Sequence, residues 1–238
     1  MTAIIKRELR ALLTGVTGYI FCCFVLVFAG IYMNIINLKQ GSANFEYVLG
    51  NMGFIFLIAI PLLTMRSLTE DRKQKTDTLL YSLPVSMTQI VLGKYIAMLI
   101  LMLMPIIVVG IYPLILSFFG NVYLPASYGT LLGFFFLGAS LTAIGLFISS
   151  LTENQAVAGI LCLLVGIVNY FLPTIASYVS RTAFGGALPE FLEKISLFQR
   201  FYSFPNGVFD IANLVFFAVV ALVFIYFTIQ SMEKRRWS

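Results

Sequence analysis

The feature that most constrains this chain is a series of long stretches without a charged side chain. Five such stretches occupy most of the 238 residues: 11–38, 47–65, 95–152, 154–180 and 211–232. A helix needs about 20 apolar residues to cross a bilayer, so four of the stretches are each long enough for one crossing. The stretch 95–152 is long enough for two, and turn-forming residues divide it at 120–127. The sequence therefore predicts six transmembrane helices.

The composition leads to the same class of protein. Apolar residues make up 60% of the chain and charged residues 11%, which is too little polar surface to cover a water-soluble globule. We predict an all-α membrane protein with a single transmembrane domain, residues 1–238. The predicted spans are residues 14–37, 51–68, 87–118, 128–151, 154–179 and 208–231. Before the last span, in residues 180–207, we expect short helices at the outer interface.

The distribution of Lys and Arg predicts the orientation, because these residues are retained on the cytoplasmic side. With six spans both termini share one side, and eleven of the fifteen Lys and Arg residues fall there. They are Lys6, Arg7, Arg10, Arg66, Arg72, Lys73, Lys75, Lys94, Lys234, Arg235 and Arg236. We therefore expect both termini in the cytoplasm. The net charge of +5 indicates this bias and contact with anionic lipid, not nucleic-acid binding.

The N-terminal residues have the pattern of an amphipathic helix. Apolar residues recur on one face, and charged residues fall largely on the other. The apolar residues are Ile5, Leu9 and Leu12, and the charged ones are Lys6, Arg7, Glu8 and Arg10. We predict a short helix lying in the cytoplasmic interface. The alternative is a basic flank that only anchors the first span.

A dense charge cluster lies between the second and third spans. Six of the eight residues 70–77 are charged. Ser67 and Glu70 have capping-box spacing, and Pro84 stops a helix, so we expect a short helix and then a break. Ser86 and Gln89 repeat the spacing at the start of the third span. Thr152 and Gln155 have capping-box spacing at the start of the fifth span, although a simple turn between helices is the better interpretation there.

Small residues predict close packing of the fourth span against other spans of the same chain, rather than a dedicated dimer face. They are Gly133, Gly138, Ala139, Thr142, Ala143 and Gly145. Pro105 and Pro113 predict kinks in the third span.

Several kinds of chemistry have no sequence signal. The chain contains no phosphate-binding G-x-x-x-x-G-K-S/T loop, no H-E-x-x-H or G-x-S-x-G motif and no histidine, so we predict no catalytic residue and no metal site. At mid-membrane depth the predicted spans contain no charge, whereas a proton-coupled carrier normally keeps an ionisable residue there. Asp210 is better explained as a helix-start acid. If the chain is a transporter, it has no energy-coupling group of its own, so it must take its energy from a partner protein.

One set of residues carries a family resemblance: Glu70, Asp71, Arg72, Thr76, Leu79, Leu80, Leu83, Pro84, Val85, Ser86, Gly93 and Lys94. This set resembles the corresponding segment of ABC transporter permeases of the second exporter type, the ABC-2 family. The turn at 149–156, the six spans and the N-terminal helix resemble the same family. Within it the likeness is greatest to gliding-motility and nitrous-oxide-reductase maturation permeases. Lys75 and Asp77 depart from the usual family pattern.

The resemblance implies that residues 70–82 form a coupling helix that docks on a separate cytoplasmic ATPase. The implied contact residues are Glu70, Asp71, Arg72, Lys75, Thr76, Asp77 and Leu80. The N-terminal helix is a second candidate contact, through Ile5, Lys6, Arg7, Leu9 and Arg10. The alternative is that the cluster is only a topology signal. Lys and Arg alone would serve that purpose, so the added acids favour docking.

The resemblance also implies the assembly: two copies of an ABC ATPase and a second permease, identical or homologous, in a bacterial cytoplasmic membrane. ATP and Mg²⁺ would be bound by the ATPase, with no cofactor in this chain. The cargo would be exported, and the many aromatic residues suit a lipid or hydrophobic peptide. One alternative is a gradient-driven secondary transporter with a site built from Asn34 and Asn169. A less favoured one is a lipid-modifying enzyme using Glu70, Asp71 and Asp77.

Overall fold

The computed structural model describes residues 2–73, 86–178 and 187–236, and the regular structure in these ranges is helical. The helices are Thr2–Thr14, Val16–Met33 with a π-helical continuation Asn34–Lys39, Glu46–Thr64, Thr69–Lys73, Met87–Val109, Tyr112–Ser117, Leu124–Leu151, Gln155–Tyr178, Ala187–Ile195, Leu197–Phe201 and Ile211–Arg236. The predicted all-α fold is confirmed.

Within the described ranges, six helical segments are long and apolar enough to cross a membrane, which confirms the predicted number of spans. In chain order, the first to sixth spans are Val16–Lys39, Glu46–Thr64, Met87–Ser117, Leu124–Leu151, Gln155–Tyr178 and Ile211–Lys234. The second and fourth are mostly buried (72% and 78%), whereas only 17% of the first and of the fifth is buried. The second and fourth spans therefore form the centre of the bundle, and the others expose apolar faces suited to lipid.

Glycines of the fourth span bring the two central spans together. The rings of Phe56 and Phe134 stack with centroids 4.0 Å apart. A Cβ atom at Gly138 would lie 2.7 Å from the Phe56 ring, and one at Gly145 would lie 2.9 Å from Cβ of Thr64. Real Cβ atoms do not approach so closely, so both positions need glycine. These contacts confirm the predicted close packing within one chain.

The ends of several spans differ from the prediction. The second span begins at Glu46 instead of residue 51, because the Glu46 carboxylate is buried and accepts a hydrogen bond from Ser127 (2.8 Å). The fourth span begins at Leu124, and Pro125 fits its first turn, where no amide donor is needed. The third span continues through Pro105, and its helix is interrupted after Val109 instead.

The predicted helix caps have mixed outcomes. The Ser86 hydroxyl accepts a hydrogen bond from the Gln89 amide, as predicted. At the fifth span a simple turn between helices was preferred to a cap from Thr152, and in the structure the Asn154 side chain accepts from the Ala156 amide (3.0 Å) and caps the helix. The cap predicted from Ser67 was wrong, because the helix there begins at Thr69 and the Glu70 amide donates to a backbone carbonyl.

The two ends of the bundle carry different polar groups. At one end lie the N-terminal helix, the helix Thr69–Lys73 and the turn between the fourth and fifth spans. Lys94 contacts the N-terminal helix and the Ser67 carbonyl before Thr69–Lys73, and the Leu68 amide donates to Ser149 near the end of the fourth span; we call this the Lys94 end. At the other end lie Ala187–Ile195 and Leu197–Phe201, and we call it the Arg200 end. The two helices at the Arg200 end confirm that helices precede the last span.

Candidate functional site

A buried lysine joins three parts of the chain at the Lys94 end. Lys94 lies about two turns into the third span and its side chain is only 3% exposed. The preceding Gly93 leaves room for the N-terminal helix, since a Cβ there would lie 2.8 Å from Ile4. The glycine therefore lets the N-terminal helix cross closely enough for the lysine to reach it.

The ammonium group of Lys94 has partners on two other segments. It lies 3.2 Å from the Glu8 carboxylate of the N-terminal helix and donates to the Ser67 carbonyl at 2.8 Å. Ser67 belongs to the turn that leads from the second span into Thr69–Lys73. One cation thus connects the third span, the N-terminal helix and the start of the charged segment.

Glu8 is held ionised by two cations. Its other carboxylate oxygen accepts from Arg7 at 2.7 Å. Burial by itself raises the pKa of Glu8, but the Lys94 ammonium and the Arg7 guanidinium outweigh burial and hold the pKa below its ordinary value. The group therefore carries a full negative charge at neutral pH.

The turn before Thr69–Lys73 is fixed at two further points. The Arg66 guanidinium donates to the Thr17 hydroxyl of the first span (2.9 Å). The Leu68 amide donates to the Ser149 hydroxyl of the fourth span (3.2 Å). The turn is thus attached to the first, third and fourth spans.

The contacts of the second span continue into the fifth. Thr64 occupies the space that a side chain at position 145 would fill if this residue were not Gly145. The Thr64 hydroxyl lies 3.9 Å from the sulfur of Cys162. Met65 packs on Gly159, where a Cβ would lie 3.2 Å from its sulfur. Through these contacts, a displacement of the charged segment would also displace the fifth span.

Part of the predicted ATPase contact lies within the described residues. Glu70 is exposed and pairs with Arg66 at 3.6 Å. Asp71 and Arg72 belong to the helix Thr69–Lys73, but their side chains lie outside the described part. The same holds for all atoms of Lys75, Thr76, Asp77 and Leu80 and for the predicted break at Pro84. Their role as a docking surface stays a prediction.

The N-terminal helix is amphipathic as predicted, with one correction. Ile5 and Leu9 are half-buried, and Lys6, Arg7 and Arg10 are exposed. Glu8, expected with the exposed charges, instead faces the bundle and meets Lys94. The spacing held a signal for this, because Glu8 lies four residues from the apolar Ile4 and four from Leu12, on one helical face.

Two charged side chains that the sequence did not predict to be buried lie within the described spans, within about the first two turns of their helices. Lys94 is buried in the third span and Glu46 in the second. Lys94 lies three and four residues after the buried Val91 and Ile90, a spacing that places it on the inward face. Glu46 lies at the Arg200 end with Ser127 and is not part of the Lys94 cluster.

The two residues proposed for a carrier site have different surroundings. Asn169 accepts from the Leu197 amide through its side chain (3.0 Å), and its carbonyl accepts from the Ser196 hydroxyl (3.2 Å). It thereby holds the helix Leu197–Phe201 on the fifth span. Asn34 is exposed on the first span.

Six helices long and apolar enough to span a membrane, among the described residues, define a polytopic membrane protein. The model of the family described as ABC-2 family transporter protein matches residues 28–232, and the chain belongs to this family. The comparison with curated proteins gives no match. Lys94 and the turn at Arg66 lie within the matched range, whereas Glu8 and the N-terminal helix precede it.

Proposed function

We propose that this chain is the membrane-spanning permease subunit of an ATP-driven exporter, and that a separate ATPase supplies the energy. Membership in a transporter family supports the transport role. The sequence has no phosphate-binding loop of the G-x-x-x-x-G-K-S/T type, which favours ATP hydrolysis in another chain. ATP and Mg²⁺ would be bound by that partner.

The observation that carries the proposal is the attachment of the charged segment to the bundle through Lys94. A surface that transmits a partner's movement must be accessible outside and rigidly connected inside. Glu70 is exposed, while Ser67 and Leu68 are bonded to the third and fourth spans. A shift of the docked partner would move these spans together, as rigid-body switching requires.

The proposed orientation puts the Lys94 end in the cytoplasm of a bacterial cell, at the cytoplasmic membrane. Lys and Arg are concentrated on that side of the six spans. Both termini and the charged segment would then face the ATPase. The N-terminal helix would lie in the cytoplasmic interface with its Lys6 and Arg10 side directed to anionic headgroups.

The proposed complex contains two permease subunits, identical or homologous, and two copies of the ATPase. The weakly buried first and fifth spans offer apolar faces for the second permease or for lipid. The cargo would be an apolar or amphipathic molecule, such as a lipid or hydrophobic peptide.

The test is co-purification of an ATP-hydrolysing subunit from the native membrane. The tagged chain is compared with a variant in which Glu70, Asp71 and Arg72 are changed to Ala. A matched control changes Glu153, Glu233 and Lys234 to Ala, which removes two acids and one base at the same end of the bundle. Nucleotide hydrolysis and the amount of the partner are measured in each preparation.

The proposal expects the ATPase with the native chain and with the control, and its loss from the Glu70, Asp71 and Arg72 variant. If all three preparations retain it, the charged segment is not the docking surface. If the native chain carries no ATP-hydrolysing partner at all, the export mechanism is wrong, and a gradient-driven carrier becomes the better explanation.

A further inference from the structure

A wide-open cavity of about 430 Å³, lined by polar and charged residues, lies at the Arg200 end, between the two short helices there and the start of the sixth span. Cavities of this size commonly hold small ligands. Its charged lining consists of Glu190, Glu193, Lys194 and Arg200, so the formal charges sum to zero. Both signs of charge on one cavity wall suit a ligand that itself carries both.

The arginine in this cavity is held in place before any ligand arrives. Its Nε donates to the Lys194 carbonyl (2.9 Å), its Nη1 donates to the Asn213 side-chain oxygen (3.0 Å), and its guanidinium lies 4.0 Å from the centre of the Phe216 ring. Asn213 is buried and donates to the Ser203 hydroxyl at 2.9 Å. Little side-chain entropy would be lost when Arg200 binds an anion.

Part of the guanidinium is available for a ligand. Among the described residues, Nη2 of Arg200 makes no hydrogen bond, although Nε and Nη1 both do. The fork of an arginine matches the geometry of a phosphate or carboxylate. The cavity therefore contains an oriented anion-binding group at its wall.

The acidic side of the cavity suits a primary ammonium group. Glu190 and Glu193 are three residues apart on Ala187–Ile195 and so share one face. Glu190 is exposed and pairs with Lys194 at 3.5 Å, a contact that solvent keeps weak and replaceable. An ammonium has three donors and can bind two carboxylates, whereas a quaternary ammonium has none.

The surroundings indicate an amphipathic ligand. Large apolar side chains are exposed at the same end, namely Phe191 and Ile195 on the helix that carries Glu190 and Glu193, and Phe209 before the sixth span. The helix Ala187–Ile195 thus presents polar and apolar groups together at one end of a membrane-spanning bundle, as interfacial helices do. A polar headgroup in the cavity would leave its acyl chains against these residues.

We infer that this cavity binds the headgroup of an ethanolamine phospholipid, with the phosphate on Arg200 and the ammonium on Glu190 and Glu193. The inference goes beyond the proposed export role. Binding at the Arg200 end needs no ATPase, so failure of either proposal leaves the other testable.

The experiment uses the purified full-length chain in detergent with a phosphatidylethanolamine that is fluorescent in its acyl chain. Binding is measured by anisotropy, and the competitors are unlabelled phosphatidylethanolamine, phosphatidylglycerol, phosphatidylcholine and water-soluble phosphoethanolamine. The variants are Arg200→Gln and the double variant Glu190→Gln, Glu193→Gln. Lys39→Gln is the control, since it removes an exposed cation at the same end outside the cavity.

For the native chain, phosphatidylethanolamine should compete at least about tenfold better than the other two phospholipids. Arg200→Gln should weaken its binding about tenfold or more, which corresponds to one charge-assisted contact. The acid double variant should keep phospholipid binding and lose the preference for ethanolamine. Because both glutamates are on the surface, this variant tests the inference even if Arg200→Gln unfolds.

Four results would overturn the inference. Equal competition by phosphatidylglycerol would remove the role of the acids, and an unchanged preference in the double variant would do the same. Competition by soluble phosphoethanolamine as strong as by the phospholipid would show that the ligand is not a lipid. A loss caused equally by Lys39→Gln would show a general charge effect.

Discussion

Replacing Lys94 by Met removes the cation that connects the third span to the N-terminal helix and to the turn at Ser67. Methionine is unbranched and of similar length, so it fills most of the same space without leaving a large cavity. The change isolates the charge and the hydrogen bonds from the packing of the side chain.

The expected loss of stability follows from the two groups that lose the Lys94 ammonium as a partner. The Ser67 carbonyl loses a charged donor at 2.8 Å, and an unsatisfied buried acceptor costs about 1–3 kcal/mol. Glu8 loses one cation but keeps Arg7 at 2.7 Å, and its side chain is 16% exposed, so its loss is smaller than the roughly 3–5 kcal/mol expected for a fully buried pair. We therefore expect Lys94→Met to destabilise the fold by about 2–4 kcal/mol.

The assay is denaturant unfolding of the purified chain in detergent, analysed as a double-mutant cycle with Glu8→Met. The double variant should be less destabilised than the sum of the single variants, by at least about 1 kcal/mol, because neither member of the Lys94–Glu8 pair is then left without the other. Lys234→Met, an exposed change at the same end, should stay within about 0.5 kcal/mol of the native chain. Additive single effects would refute the pairing of Lys94 with Glu8.

The remaining predictions concern acid, packing and capping. Because Lys94 and Arg7 lower the folded-state pKa of Glu8, its contribution to stability is complete above the unfolded-state pKa of about 4.3 and is lost as the pH falls through the folded-state value. Melting curves between about pH 7 and pH 3 should show this loss in the native chain and not in Glu8→Gln; parallel curves would contradict it. Gly145→Val should destabilise by about 1–3 kcal/mol in denaturant unfolding because it collides with the second span, whereas Gly30→Ala, in open space, should be close to neutral. Asn154→Ala should cost about 0.5–2 kcal/mol in the same assay through loss of the cap on the fifth span, and a change near zero would argue against that cap.

The number of spans and the all-α fold could be predicted from the sequence, because they follow from the lengths of the stretches without a charged residue. Each span needs about 20 apolar residues, and the stretches between charged residues supply them. Ser86 capped the third span as predicted, since its partner is three residues away in the chain. Asp210 likewise accepts from the Ala212 amide (2.9 Å), as expected of a helix-start acid. Local chemistry thus predicted local structure.

The candidate site was only partly predictable, because its links join residues far apart in the chain. From the sequence, Lys94 was counted among the cations that set the orientation in the membrane. Its burial depends on Glu8, which lies 86 residues away in the chain. Burial of Glu46 depends in the same way on Ser127, 81 residues away. A charge next to an apolar stretch is consistent with an exposed anchor or with a buried pair, and only the tertiary contact distinguishes the two.

The central claim is that the charged segment at the Lys94 end meets the ATPase, and site-directed crosslinking tests it most directly. Glu70→Cys is made in a chain whose native Cys22, Cys23 and Cys162 are replaced by Ala, and a photoactivatable reagent is attached in native membranes. Glu190→Cys, at the opposite end, is the matched control. If the charged segment contacts the ATPase, the reagent at position 70 should give an adduct with an ATP-hydrolysing subunit, and the reagent at position 190 should give none. No adduct at position 70, or equal adducts at both positions, would contradict it.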